Sequence, residues 1–205
     1  MPVFTIDGNI GAGKSTILEY LHTHYRIPID PEPIDKWQPY LEDMYRHSNG
    51  AFQFQVRVWL DRCWIQTRPN MAPMVMERSP FFQRHTFIPA MLDGGKINQK
   101  EYFMLQEMYD KSGSIWNPNG CIYLRSNPIK CLERVRKRNR TSEEEISAAY
   151  LFKLHTLHEY AYMNAVTAGL PVICVDIEGK QLSQIAMEVW IALSILGYGA
   201  NATSL

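Results

Sequence analysis

Short runs of β-branched and aromatic residues alternate along this chain with longer segments whose apolar residues recur at helical spacing. This alternation is typical of an α/β fold, in which helices join parallel strands and cover the sheet. Five of the short runs are predicted to be the strands of that sheet. They cover residues 3–7, 27–29, 73–77, 121–124 and 171–176.

Helical spacing predicts four long helices between and after these strands. One of them starts at Asn127-Pro128, because proline is favoured at the first helical position. Another, over residues 51–66, places Gln55 and Arg62 seven positions apart. The four predicted helices run from the glycine-rich turn to about Tyr25, over residues 51–66, from Asn127-Pro128 onward, and over residues 183–196.

Residues 8–15 read Gly-Asn-Ile-Gly-Ala-Gly-Lys-Ser and fit the pattern GxxxxGK[ST] at every fixed position. Because the segment follows a predicted strand and opens a predicted helix, its glycines let successive N–H groups converge on phosphate oxygens. Lys14 supplies a mobile cation for the outer phosphates, and the Ser15 hydroxyl is a candidate Mg²⁺ ligand. The motif predicts binding of a nucleoside triphosphate. GTPases, motor ATPases and small-molecule kinases share this loop, so it does not choose among them.

Charged residues follow the second and third predicted strands directly. Glu32 stands between two prolines, and a rigidly held carboxylate there could take a proton from an attacking hydroxyl. Glu77 could join Ser15 around Mg²⁺, and Arg78 could neutralise charge on a transferred group. The ordinary alternatives are a solvated turn acid for Glu32 and a structural ion pair for Glu77 and Arg78. Open α/β sheets bind ligands at the carboxyl ends of their strands, which is where these residues are expected.

Gln55 is an uncharged amide within an otherwise apolar helical segment. A terminal amide offers a donor and an acceptor side by side, which suits the edge of a nucleobase. Taken alone, a glutamine of this kind is more often a helix-surface residue. Its interpretation therefore depends on the motifs around it.

Residues 134–140 carry five cations in seven positions and are followed by three glutamates at 143–145. Such a run could form a solvated helix end, a nucleic-acid or nuclear-import patch, or a lid of arginines over a triphosphate. The phosphate-binding loop in the same chain favours the lid, because phosphoryl transfer needs cations that close over the outer phosphates. Guanidinium groups suit this task because they bind phosphate bidentately and keep their charge.

Composition narrows the function classes further. The chain of 205 residues is 46% hydrophobic and 20% charged, which supports a packed core rather than disorder. Its 21 Lys and Arg balance its 21 Asp and Glu, so a nucleic-acid or anionic-membrane partner is not expected. No CxxC pair occurs among the four widely spaced cysteines, so they are expected to be reduced thiols. They are Cys63, Cys121, Cys131 and Cys174.

Targeting and membrane insertion are not expected either. A predicted strand starts two residues after Met1 and leaves no room for a signal or transit peptide. The longest apolar stretch, residues 189–198, is too short to span a bilayer. We expect one domain over residues 1–205 that works in the cytoplasm, of the host cell if the protein is viral.

Together these motifs resemble the deoxynucleoside kinase family, which includes deoxycytidine, deoxyguanosine and mitochondrial thymidine kinases, the insect multisubstrate enzyme and viral relatives. The resemblance implies a P-loop kinase fold, a five-stranded parallel sheet with helices on both faces and an arginine lid near residues 134–145. It also implies a homodimer that uses ATP and Mg²⁺ to phosphorylate the 5′-hydroxyl of a deoxynucleoside in nucleotide salvage. The matching segments are residues 6–16, 31–33, 52–55, 77–79, 122–125, 131–134, 138–140, 150–151 and 154–155.

The resemblance also implies a role for each matching side chain. Glu32 matches the general base, Arg78 the arginine beside the 5′-oxygen, and Glu77 the acid near Mg²⁺. Gln55 matches the amide that reads the base. Trp37, Phe54 and Phe87 match the apolar walls of the nucleoside pocket, and Tyr45 and Glu143 match the pair that holds the 3′-hydroxyl. The matching lid arginines are Arg134, Arg138 and Arg140. The matching nucleotide loop comprises Gly8, Asn9, Ile10, Gly11, Ala12, Gly13, the catalytic Lys14, Ser15 and Thr16.

Gln83 departs from the family pattern in a way that bears on the substrate. The family has Asp there in the deoxycytidine and deoxyguanosine kinases and Ala in the thymidine-preferring members. A buried aspartate paired with the arginine that corresponds to Arg62 favours a base with an exocyclic amine. A glutamine can turn over and present N–H or C=O, as Gln55 can. We therefore expect a pyrimidine substrate, thymidine or deoxycytidine, with a lean toward thymidine.

Three other functions compete with this interpretation. A thymidylate-type nucleoside monophosphate kinase shares the loop and the lid, but its acceptor phosphate needs cations where this chain has Glu32. A non-catalytic kinase-like subunit, as in respiratory NADH dehydrogenase, predicts decay of the phosphate site, yet Lys14, Ser15 and Glu77 are present. Nucleic-acid binding by the arginine run is the weakest, given zero net charge.

Overall fold

Five parallel strands form one sheet in the computed structural model, which describes residues 3–46, 50–63, 73–113, 118–140 and 143–199. The strand order is β2-β3-β1-β4-β5, so the first strand lies in the middle of the sheet. This confirms the predicted five-stranded parallel sheet. The strands are β1 (Val3–Gly8), β2 (Ile29–Asp30), β3 (Met74–Glu77), β4 (Gly120–Arg125) and β5 (Val172–Asp176).

Four of the five strands lie within one residue of their predicted bounds, but the second is displaced. Residues 27–29 were expected to form it, whereas the ladder begins at Ile29. Pro28 has no N–H to donate, and it contributes only its carbonyl, which accepts from the backbone of Val75 at 2.9 Å. Ile27, 2% exposed, packs instead in the core beneath the first helix.

Helices connect the strands and account for most of the remaining described chain. Asn127 caps one of them through its side chain, which accepts from Ile129 N at 2.8 Å, and Pro128 is the first helical residue, as predicted. The predicted helix at 51–66 is present up to Cys63, and residues 64–66 lie outside the described residues. The helices are α1 (Lys14–Tyr25), α2 (Ile34–Arg46), α3 (Gly50–Cys63), α4 (Pro80–Phe82), α5 (Ile88–Asp93), α6 (Gln99–Ser112), α7 (Pro128–Arg138), α8 (Ala148–Thr167) and α9 (Leu182–Ile195).

Helices cover both faces of the sheet, as expected for parallel strands buried on both sides. Alternate residues of β4 point to opposite faces. Ile122 and Leu124 belong to the core that α1 and α9 complete, whereas Cys121 and Tyr123 pack with Ala161 of α8. The two cores hold the carboxyl edge of the sheet, where the candidate site lies, in a fixed position.

A π-helical turn, Gln83–Phe87, joins α4 to α5. The preceding helix α4 is capped by Ser79, whose hydroxyl accepts from Phe82 N at 3.0 Å. Single π-helical turns inside helices are frequent at functional sites, because they re-aim side chains. Here the turn directs both Gln83 and Phe87 into the main cavity of the molecule.

His158 on α8 is a buried histidine whose protonation opposes folding. Its Nδ1–H donates to the Leu154 carbonyl at 2.7 Å, and its ring stacks on Phe82 and Tyr123. Among the described residues no group contacts its Nε2 by a hydrogen bond. Burial lowers the pKa of His158 from 6.5 to about 3. Between these values only the unfolded chain binds the proton, so this contribution to stability is complete above pH 6.5 and is lost as the pH falls.

We expect His158→Phe to reduce the loss of stability between pH 6.5 and pH 4. The wild type should lose up to about 1.4 kcal/mol more per pH unit, since one unit of pKa difference corresponds to that free energy. Urea unfolding of both proteins at the two pH values measures this. His24→Phe, which removes an exposed histidine, is the control. Equal losses in wild type and His158→Phe would contradict the assignment.

Candidate active site

A cavity of about 440 Å³ opens at the carboxyl ends of β1, β2 and β3, beside the turn between β1 and α1. One end is formed by that glycine-rich turn, and the other is formed by apolar side chains of α2, α3 and α5. Most of the predicted site residues line it. They are Ile10, Gly11, Gly13, Lys14, Ser15, Thr16, Glu32, Trp37, Phe54, Glu77, Arg78, Gln83, Phe87, Arg138, Arg140 and Glu143.

The glycine-rich turn has the backbone that its sequence predicts. Gly11 and Gly13 have φ of 79° and 87°, a backbone conformation that residues with a side chain rarely adopt. A Cβ on Gly11 would also lie 2.5 Å from the carbonyl oxygen of Cys131, so the turn fits tightly against α7. Lys14 begins α1 and is buried, and its Nζ donates to the carbonyls of Gly8 and Asn9 at 3.2 and 3.1 Å.

Gly11→Ala is expected to distort this turn. The added Cβ conflicts with both the positive φ and the Cys131 carbonyl, so we expect ATP affinity to fall at least tenfold. Isothermal titration with ATP measures the change, and thermal unfolding reports whether the fold survives. Gly95→Ala is a matched control, because Gly95 also has a positive φ but no atom within 4 Å of its added Cβ. Unchanged ATP affinity in Gly11→Ala would contradict the role of the turn.

Ser15 and Glu77 form a pair of oxygen donors next to the turn. The Ser15 hydroxyl donates to the two carboxylate oxygens of Glu77 at 3.0 and 3.1 Å. Hydroxyl and carboxylate oxygens are suitable ligands for Mg²⁺, which usually keeps several waters and takes others from substrate phosphates. Among the described residues no group of three or more His, Cys, Asp or Glu side chains could hold a metal alone. The pair therefore fits a metal that is held jointly with a nucleotide.

Glu32 and Arg78 face each other across the same end of the cavity. Arg78 donates through Nε to Glu32 Oε1, and its guanidinium lies 4.1 Å from the centre of the Phe87 ring. Arg78 has a φ of 65°, unusual for a non-glycine residue, and its N–H donates to Ile6 O at 2.9 Å. This turn points the guanidinium back over the cavity.

Burial and charge set the protonation of these groups. Burial alone would raise the pKa of Glu32, but the charges of Arg78 and Lys14 outweigh it and hold that pKa below its usual value. Burial and the negative charge of Glu32 raise the pKa of Glu77. Burial, helped by the charge of Arg78, lowers the pKa of Lys14. A carboxylate that stays ionised at neutral pH is available to accept a proton.

Asp7, which sequence analysis did not single out, holds the turn at Arg78 in place. Its carboxylate accepts from Ser79 N at 2.7 Å and from the Thr5 hydroxyl at 2.9 Å. Burial raises the pKa of Asp7 from 3.8 to about 6, against the lowering effect of the Ser79 N–H. The available signal was an acid at the end of a strand that is otherwise apolar.

Aromatic side chains form the walls of the other end of the cavity. Trp37 and Phe54 meet edge to face with ring centroids 5.9 Å apart, and both are more than 90% buried. The Trp37 Nε1–H donates to Asp61 at 2.9 Å, which fixes the plane of the indole. A flat, partly polar molecule would be held between such rings. Met91 and Tyr150 also line the cavity and were not predicted as site residues, because Met91 lies outside the matching segments and Tyr150 was matched to the family without a role.

Two amides lie at this apolar end, one behind the other. Gln83 lines the cavity and donates through Nε2 to Gln55 Oε1 at 2.7 Å. Gln55 is fully buried behind it and donates through its own Nε2 to Met91 Sδ at 3.3 Å. Arg62 lies outside the cavity lining, where it donates through Nη1 to Asp30 Oδ2 at 2.9 Å. The structure thus places Gln83 at the surface of the cavity and Gln55 and Arg62 in the layer behind it.

The arginine run is divided by the end of α7. Asn139 has a left-handed φ of 52° and ends the helix, so Arg140 leaves in a different direction from Arg138. Arg138 donates to Glu143 at 2.7 and 2.9 Å, and Arg140 lies 3.6 Å from the same carboxylate. Arg134 is directed elsewhere: it donates to the Gly11 carbonyl at 3.3 Å and to Ser126 Oγ at 2.9 Å.

The remaining predicted site residues are not seen to line the cavity. Gly8, Asn9 and Ala12 form the buried frame of the turn rather than the lining of the cavity. Tyr45 belongs to α2, but its side chain lies outside the described residues.

A phosphate-binding turn that faces an ionised carboxylate across an apolar-ended cavity is the arrangement of a P-loop kinase acting on a hydroxyl group. The family model for deoxynucleoside kinase matches residues 4–189. The chain therefore belongs to the deoxynucleoside kinase family and is an ATP-dependent nucleoside kinase.

Individual relatives agree with the family assignment. Deoxycytidine kinase 2 of Gallus gallus is 32% identical over 76% of this chain and 71% of its own length. Mitochondrial thymidine kinase 2 of Homo sapiens is 32% identical over 77% of this chain and 63% of its own. The protein 029R of Invertebrate iridescent virus 3 is 32% identical over 77% of this chain and 80% of its own length.

A solved structure supports the fold. The deoxyadenosine kinase of M. mycoides, with the products dCMP and a flexible dCDP bound, superposes with a TM-score of 0.79. The alignment covers 95% of this chain and 99% of that chain at 23% identity. In the part of the chain that the structure describes, no helix is both long and apolar enough to cross a membrane.

Proposed function

We propose that this kinase phosphorylates the 5′-hydroxyl of pyrimidine deoxynucleosides, with thymidine preferred over deoxycytidine and both accepted. The observation that carries the proposal is the neutral amide of Gln83 at the apolar end of the cavity. Thymine offers an imide N–H between two carbonyls, whereas cytosine offers an amine beside a ring nitrogen, and an amide can pair with either. Gln83 is neutral. Unlike an aspartate at this position, it carries no negative charge that would favour the exocyclic amine of cytosine over the thymine imide.

In the proposed mechanism the ionised Glu32 accepts the proton of the 5′-hydroxyl as this oxygen attacks the γ-phosphorus of ATP. Arg78, bound to Glu32, lies where it can offset negative charge on the transferred group. Lys14 exchanges its two backbone carbonyls for phosphate oxygens. Ser15 and Glu77 would hold Mg²⁺, which offsets charge on the outer phosphates when bound.

The lid side of the cavity supplies further cations for ATP. Arg138 and Arg140 both pair with Glu143, which holds their charges near the cavity. We propose that they contact the phosphates and that Glu143, with Tyr45, then binds the 3′-hydroxyl of the sugar. Arg134 supports the glycine-rich turn from behind through the Gly11 carbonyl.

Steady-state kinetics with ATP and each of the four deoxynucleosides tests the proposal. We expect kcat/KM to be largest for thymidine, smaller but measurable for deoxycytidine, and lower for both purine nucleosides. Thymidine monophosphate as acceptor should give no turnover, because Glu32 repels a phosphate in the place of the hydroxyl. Purine nucleosides faster than both pyrimidines would overturn the substrate assignment, and turnover of the monophosphate alone would overturn the acceptor assignment.

We propose further that the chain is a homodimer built on α6 and α8. Large apolar side chains are exposed on both helices, which marks a candidate protein interface. Those with at least 47% exposure are Phe103, Met104, Phe152, Tyr160, Met163 and Val166.

A charge placed on α8 tests this interface. We expect Met163→Glu to be monomeric by light scattering, whereas the wild type is a dimer. Ile191→Glu is the matched control, because Ile191 is equally exposed on α9, at 51% against 56%. A dimer that survives Met163→Glu and dissociates in Ile191→Glu would move the interface to α9.

The proposed kinase acts as one domain across residues 1–205 in the cytoplasm. Three of its cysteines are buried and the fourth, Cys174, is partly buried, and all four are free thiols. Free thiols fit a reducing compartment.

A further inference from the structure

Arg62 is a buried cation whose position is set by one carboxylate. Its side chain is 4% exposed, and it meets Asp30 at the end of β2 at 2.9 Å. It also donates to the backbone carbonyls of Pro31, Glu77 and Asp30 itself, at 3.3, 3.4 and 3.5 Å. Within the described residues its Nε has no acceptor. Among the residues that the structure describes, Asp30 is thus the only carboxylate paired with this guanidinium, which has a donor to spare.

Gln83, on the cavity side, has a side-chain oxygen that lacks a hydrogen-bond donor among the described residues. Its Nε2 is used by Gln55, and Gln55 cannot turn over without cost, because its own Nε2 donates to Met91 Sδ, which only accepts. This leaves Gln83 Oε1 as a buried acceptor with no donor among the described residues. An unmet buried acceptor is energetically unfavourable, so a ligand that donates a hydrogen bond there would be favoured.

Arg62 lies behind the same end of the cavity as this acceptor. Arg62 and Gln55 lie seven residues apart on α3, which is about 10 Å along one face of the helix. The Arg62 guanidinium lies 5.5 Å from the centre of the Trp37 ring, and Trp37 walls the cavity. Arg62, with its spare donor, and Gln83, with its unmet acceptor, thus adjoin the same cavity wall, while Arg62 is paired with Asp30.

We propose that Asp30 is a specificity-positioning residue: it holds Arg62 away from Gln83, so that the base end of the cavity is neutral and presents a free acceptor. This inference rests on the proposed nucleoside substrate. The free acceptor can take the imide N–H of thymine or the amine of cytosine. If Arg62 occupied it instead, a cationic donor would face the base, which disfavours the cytosine amine and favours a thymine carbonyl.

Asp30→Asn tests the proposal through selectivity. We expect kcat/KM to fall for both pyrimidine nucleosides, and at least tenfold more for deoxycytidine than for thymidine. Asp30→Glu, which keeps the carboxylate, should retain the wild-type ratio. Glu188→Gln, which removes the acid of an ion pair to Lys180 on α9, should leave the ratio unchanged. An unchanged ratio in Asp30→Asn would overturn the inference.

A thermal-unfolding cycle tests the same inference without turnover. Asp30→Asn and Gln83→Glu should each lower Tm. The first leaves Arg62 without a carboxylate, and the second adds a buried carboxylate while Arg62 is still paired with Asp30. The double variant should recover Tm, because Arg62 then pairs with the new carboxylate. Additive losses would overturn the inference. If Asp30→Asn alone does not fold, a folded double variant supports the inference and an unfolded one refutes it.

The kinetic experiment and the thermal-unfolding cycle distinguish a failure of this inference from a failure of the proposed function. A wild type that phosphorylates only purine nucleosides would refute the pyrimidine substrate. The Tm cycle would still report whether Asp30 and Gln83 compete for Arg62.

Discussion

Replacing Glu32 with glutamine is expected to lower kcat for thymidine phosphorylation by about a hundredfold or more, the usual scale for losing a positioned base. Glutamine keeps an oxygen for Arg78, so the pair seen between Arg78 Nε and Glu32 Oε1 can persist while the proton acceptor is lost. The affinity for ATP should remain, because Glu32 lies on the acceptor side of the cavity. Steady-state kinetics and calorimetric titration with ATP measure the two quantities separately.

Glu19→Gln provides a matched control for this substitution. Glu19 also lines the cavity but lies on α1 and is exposed, away from the end of β2. Its loss should change kcat only slightly. A Glu32→Gln protein with nearly full turnover would remove Glu32 from the catalytic role and would leave the family assignment intact.

Lys14→Ala is expected to weaken ATP binding and turnover together, each by roughly tenfold to a hundredfold, the range for losing a charged hydrogen bond. Lys14 donates to two carbonyls of its own turn, and its burial lowers its pKa. The ammonium is therefore poorly solvated until phosphate oxygens replace the carbonyls. Titration with ATP and single-turnover rates at saturating ATP measure the two effects.

The stability of the Lys14→Ala variant distinguishes a functional loss from unfolding. Because a partly compensated buried charge is removed, Tm should change little or rise. Lys130→Ala, at an exposed pair with Glu133 on α7, is the control for removing a lysine. Wild-type ATP affinity in Lys14→Ala would contradict the role of this lysine.

The strands β1 and β3 were predictable because burial on both faces makes them largely apolar, whereas β2 has only two partly buried residues and starts two positions after its predicted start. All six residues of β1 and all four of β3 are buried, so composition alone marks them. Several helices were not predictable in this way. Pro39 lies inside α2 and interrupts the helical pattern, and α8 has exposed apolar residues such as Tyr160, so its polar face is poorly marked. The π-helical turn has no sequence signature of its own.

The candidate site also has a part that was predictable from sequence and a part that was not. The glycine-rich turn was predictable because its residues are contiguous and their chemistry is local. The contacts of Asp30 with Arg62 and of Gln55 with Met91 join residues 32 and 36 positions apart. Sequence can suggest that such residues matter, but only packing decides which of several partners each one meets. The hypothesis that Gln83 turns over freely omitted Met91, which orients Gln55 and through it Gln83.

The central position of β1 has a consequence for how this enzyme can change. β1 is hydrogen-bonded to β3 on one side and to β4 on the other, and the phosphate-binding turn leaves directly from it. The apolar end of the cavity is assembled instead from α2, α3, the π-helical turn and α5, which lie outside the sheet. Mutations that reshape this apolar end can therefore accumulate in these helices without displacing the central strand that carries the phosphate-binding turn.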